Sequence, residues 1–158
     1  STGAGLAMGR TLKGDKGEVC VFMSDGELQE GQTWESIQAS VHHGIDNLWA
    51  IMDVNSQQCD GAMKDVMDVG DIAKKIRSFG AKVVEIDAHD ISAMRDAKKE
   101  KHEGVPLIIL ANSSPFQGMS YLKKRFPRLH YVRFKSQEER AEMNKSIANE
   151  LGIKPISY

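Results

Sequence analysis

Residues that announce special chemistry are scarce in this chain. Two cysteines, Cys20 and Cys59, stand among 158 residues, in neither a CxxC nor a Cys/His metal spacing, so a disulfide framework and a zinc site are both excluded. Cys20 lies inside an apolar run and is expected to be a buried thiol behaving as a small hydrophobe, in a reducing, cytoplasmic compartment. No apolar stretch approaches the roughly 20 residues of a membrane span. Charge of either sign is not in excess: 21 basic and 22 acidic residues leave a net charge of -1, with no basic field for nucleic acid or an anionic membrane. There is no internal repeat, no low-complexity linker and no signal-peptide layout. The chain opens on STGAGLAMGR, a glycine-rich turn running straight into a helix. Such a turn normally follows a strand, so the chain is expected to be the later part of something longer.

What is present reads as one domain over residues 1–158, large enough to bury a core. Apolar runs predict strands at Glu18–Met23, Asn47–Val54, Ala81–Ile86 and Val105–Ala111. Helical spacing predicts helices at Gly5–Leu12, Thr33–His43 with Gly44 as its stop, Asp71–Phe79 stopped by Gly80, Ile91–His102, and Gln137–Leu151 stopped by Gly152 and Pro155. Residues 112–134 carry few regular signals. Strands that alternate with helices and are apolar throughout indicate an α/β fold, a parallel sheet covered by helices on both faces. In such sheets ligands bind beyond the carboxyl ends of the strands.

Two of those ends are polar. The first strand runs into Ser24-Asp25-Gly26-Glu27-Leu28-Gln29-Glu30-Gly31, and the second ends in Asp53-Val54-Asn55. If the two strands are neighbours, Asp25 and Asn55 face one crevice. Magnesium takes about six oxygens near 2.0–2.1 Å, one or two from protein and the rest from phosphate and water. Asp25 offers a carboxylate oxygen, Asn55 an amide oxygen and Gln57 a backbone carbonyl. Gly26 lets the backbone approach a ligand, and helices starting after Gly3 and near Gln32 point positive ends at the same edge, which suits a diphosphate. An EF-hand fails on the residues after Asp25, and STGAGLAMG does not have dinucleotide spacing.

SDG followed thirty residues later by Asn is similar to the thiamine-diphosphate motif GDG…N. DGELQEGQTWE resembles the transketolase family, typically GDGELQEGQxWE, and DNLWAIMDVNSQQCDG resembles its DNLxxIxDxNxxQxDG. STGAGL, FGAKVVEIDAHD and VPLIILANSSPFQGMSYL look like further stretches of that family. The resemblance implies a thiamine-diphosphate-binding (PP-type) domain and a transferase that moves a two-carbon ketol unit from a ketose to an aldose. It also implies Mg²⁺ on Asp25, Asn55 and Gln57, with the cofactor against Ser1, Thr2, Gly3, Gly26, Glu27 and Asn55. His130 would be a catalytic residue near the cofactor, allowing one inserted residue. Glu30 and Glu35 match acids that meet their counterparts across an interface with a second copy of the chain.

The same resemblance implies that the pyrimidine half of the site lies on a domain absent from this chain. The expected partners are therefore a subunit corresponding to the transketolase C-terminal section and a second copy, acting on a small sugar or sugar phosphate. The chain is expected to be a split N-terminal subunit without its first segment. Ser24 stands in place of a glycine, PFQG in place of a lysine-containing loop, and Leu129 in place of a tryptophan before His130. Another thiamine-diphosphate lyase or synthase, and a non-catalytic binding module on the same fold, remain open alternatives. His89 is expected to make a structural hydrogen bond to a neighbouring loop. Arg125, Arg128 and Arg133 form a basic run that either meets an acidic substrate or is simply solvated.

Overall fold

The computed structural model describes residues 1–156. In chain order the elements are α1 (Thr2–Lys13), β1 (Val19–Ser24), a 3-10 turn (Asp25–Gln29), α2 (Gly31–His42) and β2 (Leu48–Val54). There follow the two-residue strands β3 (Gln57–Gln58) and β4 (Gly61–Ala62), then α3 (Met63–Val66), α4 (Ile72–Ser78), β5 (Lys82–Asp87) and α5 (Ile91–Ala97). β6 (Leu107–Asn112), a second 3-10 turn (Ser120–Arg125) and α6 (Gln137–Leu151) complete the chain. The main sheet has the order β1-β2-β6-β5 with every pairing parallel, and β3 and β4 form a small antiparallel hairpin.

Strand periodicity divides the core between two faces. Ala50, Met52, Val83, Ile108 and Leu110 pack with Ile37 of α2 and with Ala73 and Ile76 of α4, while Ala7 of α1 packs on Leu48, Val19 and Val21. On the other face Leu107, Ile109, Trp49, Ile51, Val84 and Ile86 meet Ala97 and Met94 of α5. Helices thus lie on both faces, but unevenly. Nothing described covers the outer side of β1, where Phe22 is 72% exposed and Cys20 is exposed as well. The expectation of a buried Cys20 is therefore corrected. The run VCVFM is apolar throughout, yet its odd-numbered residues face helices and its even-numbered ones do not.

Local signals explain the ends of the elements. Asp71, Asp90 and Ser136 cap α4, α5 and α6, each accepting a backbone N–H of the first turn. α5 stops at Ala97, five residues short of the predicted His102, because KKEKHEG has no apolar residue to carry the buried stripe onward. α1 starts at Thr2, earlier than predicted. A β-carbon on Gly3 would lie 2.4 Å from Val21 Cγ2, so this glycine lets α1 rest directly on β1.

Candidate metal and cofactor site

β1 and β2 are neighbours, with Ser24 opposite Asp53 in register. The residues after them therefore share the carboxyl edge of the sheet. The backbone reverses there through Ser56, a non-glycine residue with φ of 59°. This turn delivers the Ser56 N–H to Asp25 Oδ2 at 2.7 Å, and Met63 N–H closes it by donating to the Ser56 carbonyl at 3.0 Å.

Asp25 is 1% exposed, and its second oxygen, Oδ1, is buried with no partner. Burial pushes the Asp25 carboxyl above its ordinary range, the Ser56 N–H pulls it back, and the nearby Asp53 charge raises it again. A buried carboxylate oxygen without a hydrogen bond is costly unless a cation or proton meets it. Asn55 donates from Nδ2 to Asp53 Oδ2 at 2.8 Å, and its Oδ1 accepts the Gln57 N–H at 2.8 Å. Gln57 is half-buried, and its side-chain Oε1 is also buried without a partner.

Asp25, Asn55, Ser56 and Gln57 line one cavity of about 310 Å³ together with Lys64, Asp68, Pro115, Phe116 and Phe126. No group of three or more His, Cys, Asp or Glu side chains able to hold a metal occurs among the described residues. The donor set here is different: one carboxylate and one amide oxygen beside the backbone of Ser56 and Gln57. That set fits a hard cation that completes its shell with phosphate and water.

Ser1, Thr2, Gly3 and Glu27 line a second cavity, of about 300 Å³, between α1, α2 and the sheet. Ser1 Oγ donates to Gln32 Oε1 at 3.1 Å, which sets the N-terminal ends of α1 and α2 side by side at the same edge. Both ends present unpaired N–H groups suited to an anion. Glu27 accepts the Ser24 N–H on one carboxylate oxygen at 3.1 Å, which stabilises the turn. Gly26 lies in the chain between Asp25 and Glu27. A β-carbon there would meet Ser24 Oγ at 3.7 Å and Gln58 Cβ at 3.8 Å, ordinary contacts, so packing within the chain does not demand glycine.

The candidate residues therefore fall into two groups, with Gly26 beside them in the chain but lining neither cavity and His130 in neither. It is exposed in the segment after β6, with its ring edge-on to Tyr131 at 4.7 Å between centroids. His89 accepts the Ser114 N–H on Nε2 at 2.9 Å, the structural bond expected of it. Arg125 is committed to Glu139 by an ion pair and donates to the Arg133 carbonyl at 2.7 Å. Sequence reasoning missed Ser113, whose Oγ donates to Asp53 Oδ1, and the left-handed turn at Ser56. No local sequence signal distinguishes either.

Comparison with known proteins defines the class. Residues 14–113 match the family described as transketolase, thiamine diphosphate binding domain, and the chain belongs to that family. It is 36% identical over 143 residues to y4mO, an uncharacterized transketolase family protein of Sinorhizobium fredii, covering 86% of this chain and 51% of that one. It is 33% identical over 128 residues to one subunit of the apulose-4-phosphate transketolase of Actinobacillus succinogenes, covering 80% of this chain and 46% of that one. The chain thus spans about half the length of these curated relatives. The transketolase structure of Campylobacter jejuni superposes with a TM-score of 0.77 at 20% identity, covering 98% of this chain and 25% of that one, which shows the shared fold.

Proposed function

We propose that this chain is the magnesium- and diphosphate-holding component of a transketolase-type transferase that moves a two-carbon ketol unit from a ketose to an aldose. The observation that carries the reading is the buried, unpartnered Oδ1 of Asp25 beside Asn55 at the carboxyl edge of β1 and β2. Asp25, the Asn55 amide oxygen and the Gln57 carbonyl would hold Mg²⁺. Gly26 and the paired ends of α1 and α2 would lie against the diphosphate. The chemistry that thiamine diphosphate supplies is cleavage and formation of a carbon–carbon bond next to a carbonyl. The chain's own part is to bind, orient and neutralise the phosphates.

A relative named as one subunit of a transketolase supports a partner chain carrying the pyrimidine-binding domain, and apulose-4-phosphate in the same name supports a phosphorylated sugar as substrate class. A second copy of the chain would complete the assembly through the exposed Glu30 and Glu35. Two free cysteines fit a reducing, cytoplasmic setting. A second reading, a binding module without chemistry, draws on His130 lying outside both cavities.

Calorimetric titration of thiamine diphosphate with and without Mg²⁺, alone and with such a partner, tests the proposal. Binding is expected only with Mg²⁺ and is expected to be lost in Asp25→Ala. Magnesium-independent binding, or none by folded protein in any condition, would remove the catalytic reading. Asp25→Ala with intact partner affinity and no cofactor binding by the parent would favour the module.

A further inference from the structure

We infer that Asp53, anchored by Ser113, is a positioning residue that acts with the Gln57 N–H to set which end of the Asn55 amide faces the cation. The inference rests on the metal site proposed above. An asparagine side chain presents an acceptor on one side and a donor on the other, and the donor end would repel Mg²⁺. Two bonds choose between them. Asp53 Oδ2 accepts from Asn55 Nδ2 at 2.8 Å, and a carboxylate can only accept, so the NH₂ group is held on its side. The Gln57 N–H can only donate, and it meets Asn55 Oδ1 at 2.8 Å. The amide oxygen has a second lone pair, which remains for a cation.

Asp53 is itself held. The Ser113 hydroxyl donates to Asp53 Oδ1, and the Ser113 N–H donates to the Val54 carbonyl at 3.0 Å, so the chain leaving β6 is tied to the end of β2 twice. The next residue is fixed in turn by His89, which accepts the Ser114 N–H. Both carboxylate oxygens of Asp53 are thus used, one on Asn55 and one on Ser113. The arrangement crosses from β2 to β6, and the same loop places Pro115 and Phe116 in the wall of the cavity that Asp25 lines.

Two roles for Asp53 can be separated, because its charge also acts on the site through space. Asp53→Asn removes the charge but keeps a carbonyl oxygen for Asn55 Nδ2, while its own NH₂ can donate to the Ser113 hydroxyl. Asp53→Ala removes charge and acceptor together. Loss of charge alone weakens the metal equally in both variants. Loss of orientation weakens it only in the alanine variant.

The experiment is Mn²⁺ binding by electron paramagnetic resonance, with thiamine diphosphate present, on the full chain and its partner. Asp53→Ala is expected to weaken Mn²⁺ by about 10–100-fold, the usual effect of removing a group that orients a ligand, with Asp53→Asn within about threefold of the parent. Ser113→Ala, which leaves the Asp53–Asn55 bond in place, is expected to fall between them and guards against an alanine variant that fails to fold. Equal losses in Asp53→Ala and Asp53→Asn, or no loss in Asp53→Ala, would overturn the inference while leaving the metal site standing. Absence of Mn²⁺ binding by the parent would instead overturn the metal site.

Discussion

At the scale of a residue, Asp25 carries the conflict between folding and binding. Its carboxyl sits above the ordinary aspartate range because burial outweighs the Ser56 N–H that stabilises its charge. As pH falls, the folded protein therefore takes up the proton before the unfolded chain does. Its contribution favours folding fully below the ordinary aspartate value and is lost as pH rises through the raised folded value. Metal-free Asp25→Asn lacks this slope. It is expected to match the parent in acid and to exceed it by about 1 kcal/mol above the window, the scale of one unsatisfied buried group. Denaturant unfolding of both proteins across that pH range, with chelator, checks this, and parallel curves would contradict it. At the proposed site Mg²⁺ would displace the same proton, so its affinity is expected to rise with pH over the same interval. Asp25 and Asn55 were legible as candidates because a polar cluster follows each apolar run. The Ser56 turn was not, since nothing in Asn55-Ser56-Gln57 forces a positive φ.

At the scale of elements, long periodic segments were readable and short ones were not. α6 occupies its predicted bounds because Ser136 and Gly152 bracket it, with Gly152 left-handed at φ of 65°. The hairpin of β3 and β4 has two residues per strand, too few to show a period. Close packing makes a specific prediction for α1. Gly3→Ala puts a β-carbon 2.4 Å from Val21 Cγ2 and is expected to destabilise by about 1–3 kcal/mol. The double variant with Val21→Ala is expected to recover part of that loss, a coupling that a double-mutant cycle of unfolding measures directly. Additive losses would place the strain elsewhere.

α6 has a different dependence. Glu139 is held below its ordinary range by the Lys135 N–H and by Arg125, and Glu150 by the Ser120 hydroxyl and N–H. Both lie on α6 and tie it to the second 3-10 turn and the loops beside it. A depressed folded pKa means stability present above the unfolded value and lost as pH falls through the folded one. Acid is therefore expected to free α6 first. Hydrogen exchange below the ordinary glutamate range should show faster exchange in α6 than in β2 and β6. Uniform loss of protection would mean that α6 and the sheet open as one unit.

At the scale of the whole molecule, the apolar pattern of β1 carried more information than the fold consumes. A strand apolar on both sides predicts cover on both, yet Phe22 stands 72% exposed with Trp49 and Ile51 only half-buried beside it on the outer face. The sheet and its parallel pairing were readable from alternating runs; the uneven cover was not, because periodicity says that a side chain is apolar and not what will meet it. Ligand linkage tests whether the molecule as described already carries a competent site. A ligand that binds only the folded state, at 100 times its Kd, adds about 2.7 kcal/mol. For a chain of this size that corresponds to a rise in Tm of about 5–10 °C. Thiamine diphosphate is expected to produce such a rise with Mg²⁺ and none with chelator, and Asp25→Ala is expected to abolish it. A rise that appears only after a pyrimidine-domain partner is added would assign the missing affinity to that partner. With the partner present and still no rise at any concentration, the unpaired oxygen of Asp25 would be a cost that this fold bears for some reason other than magnesium.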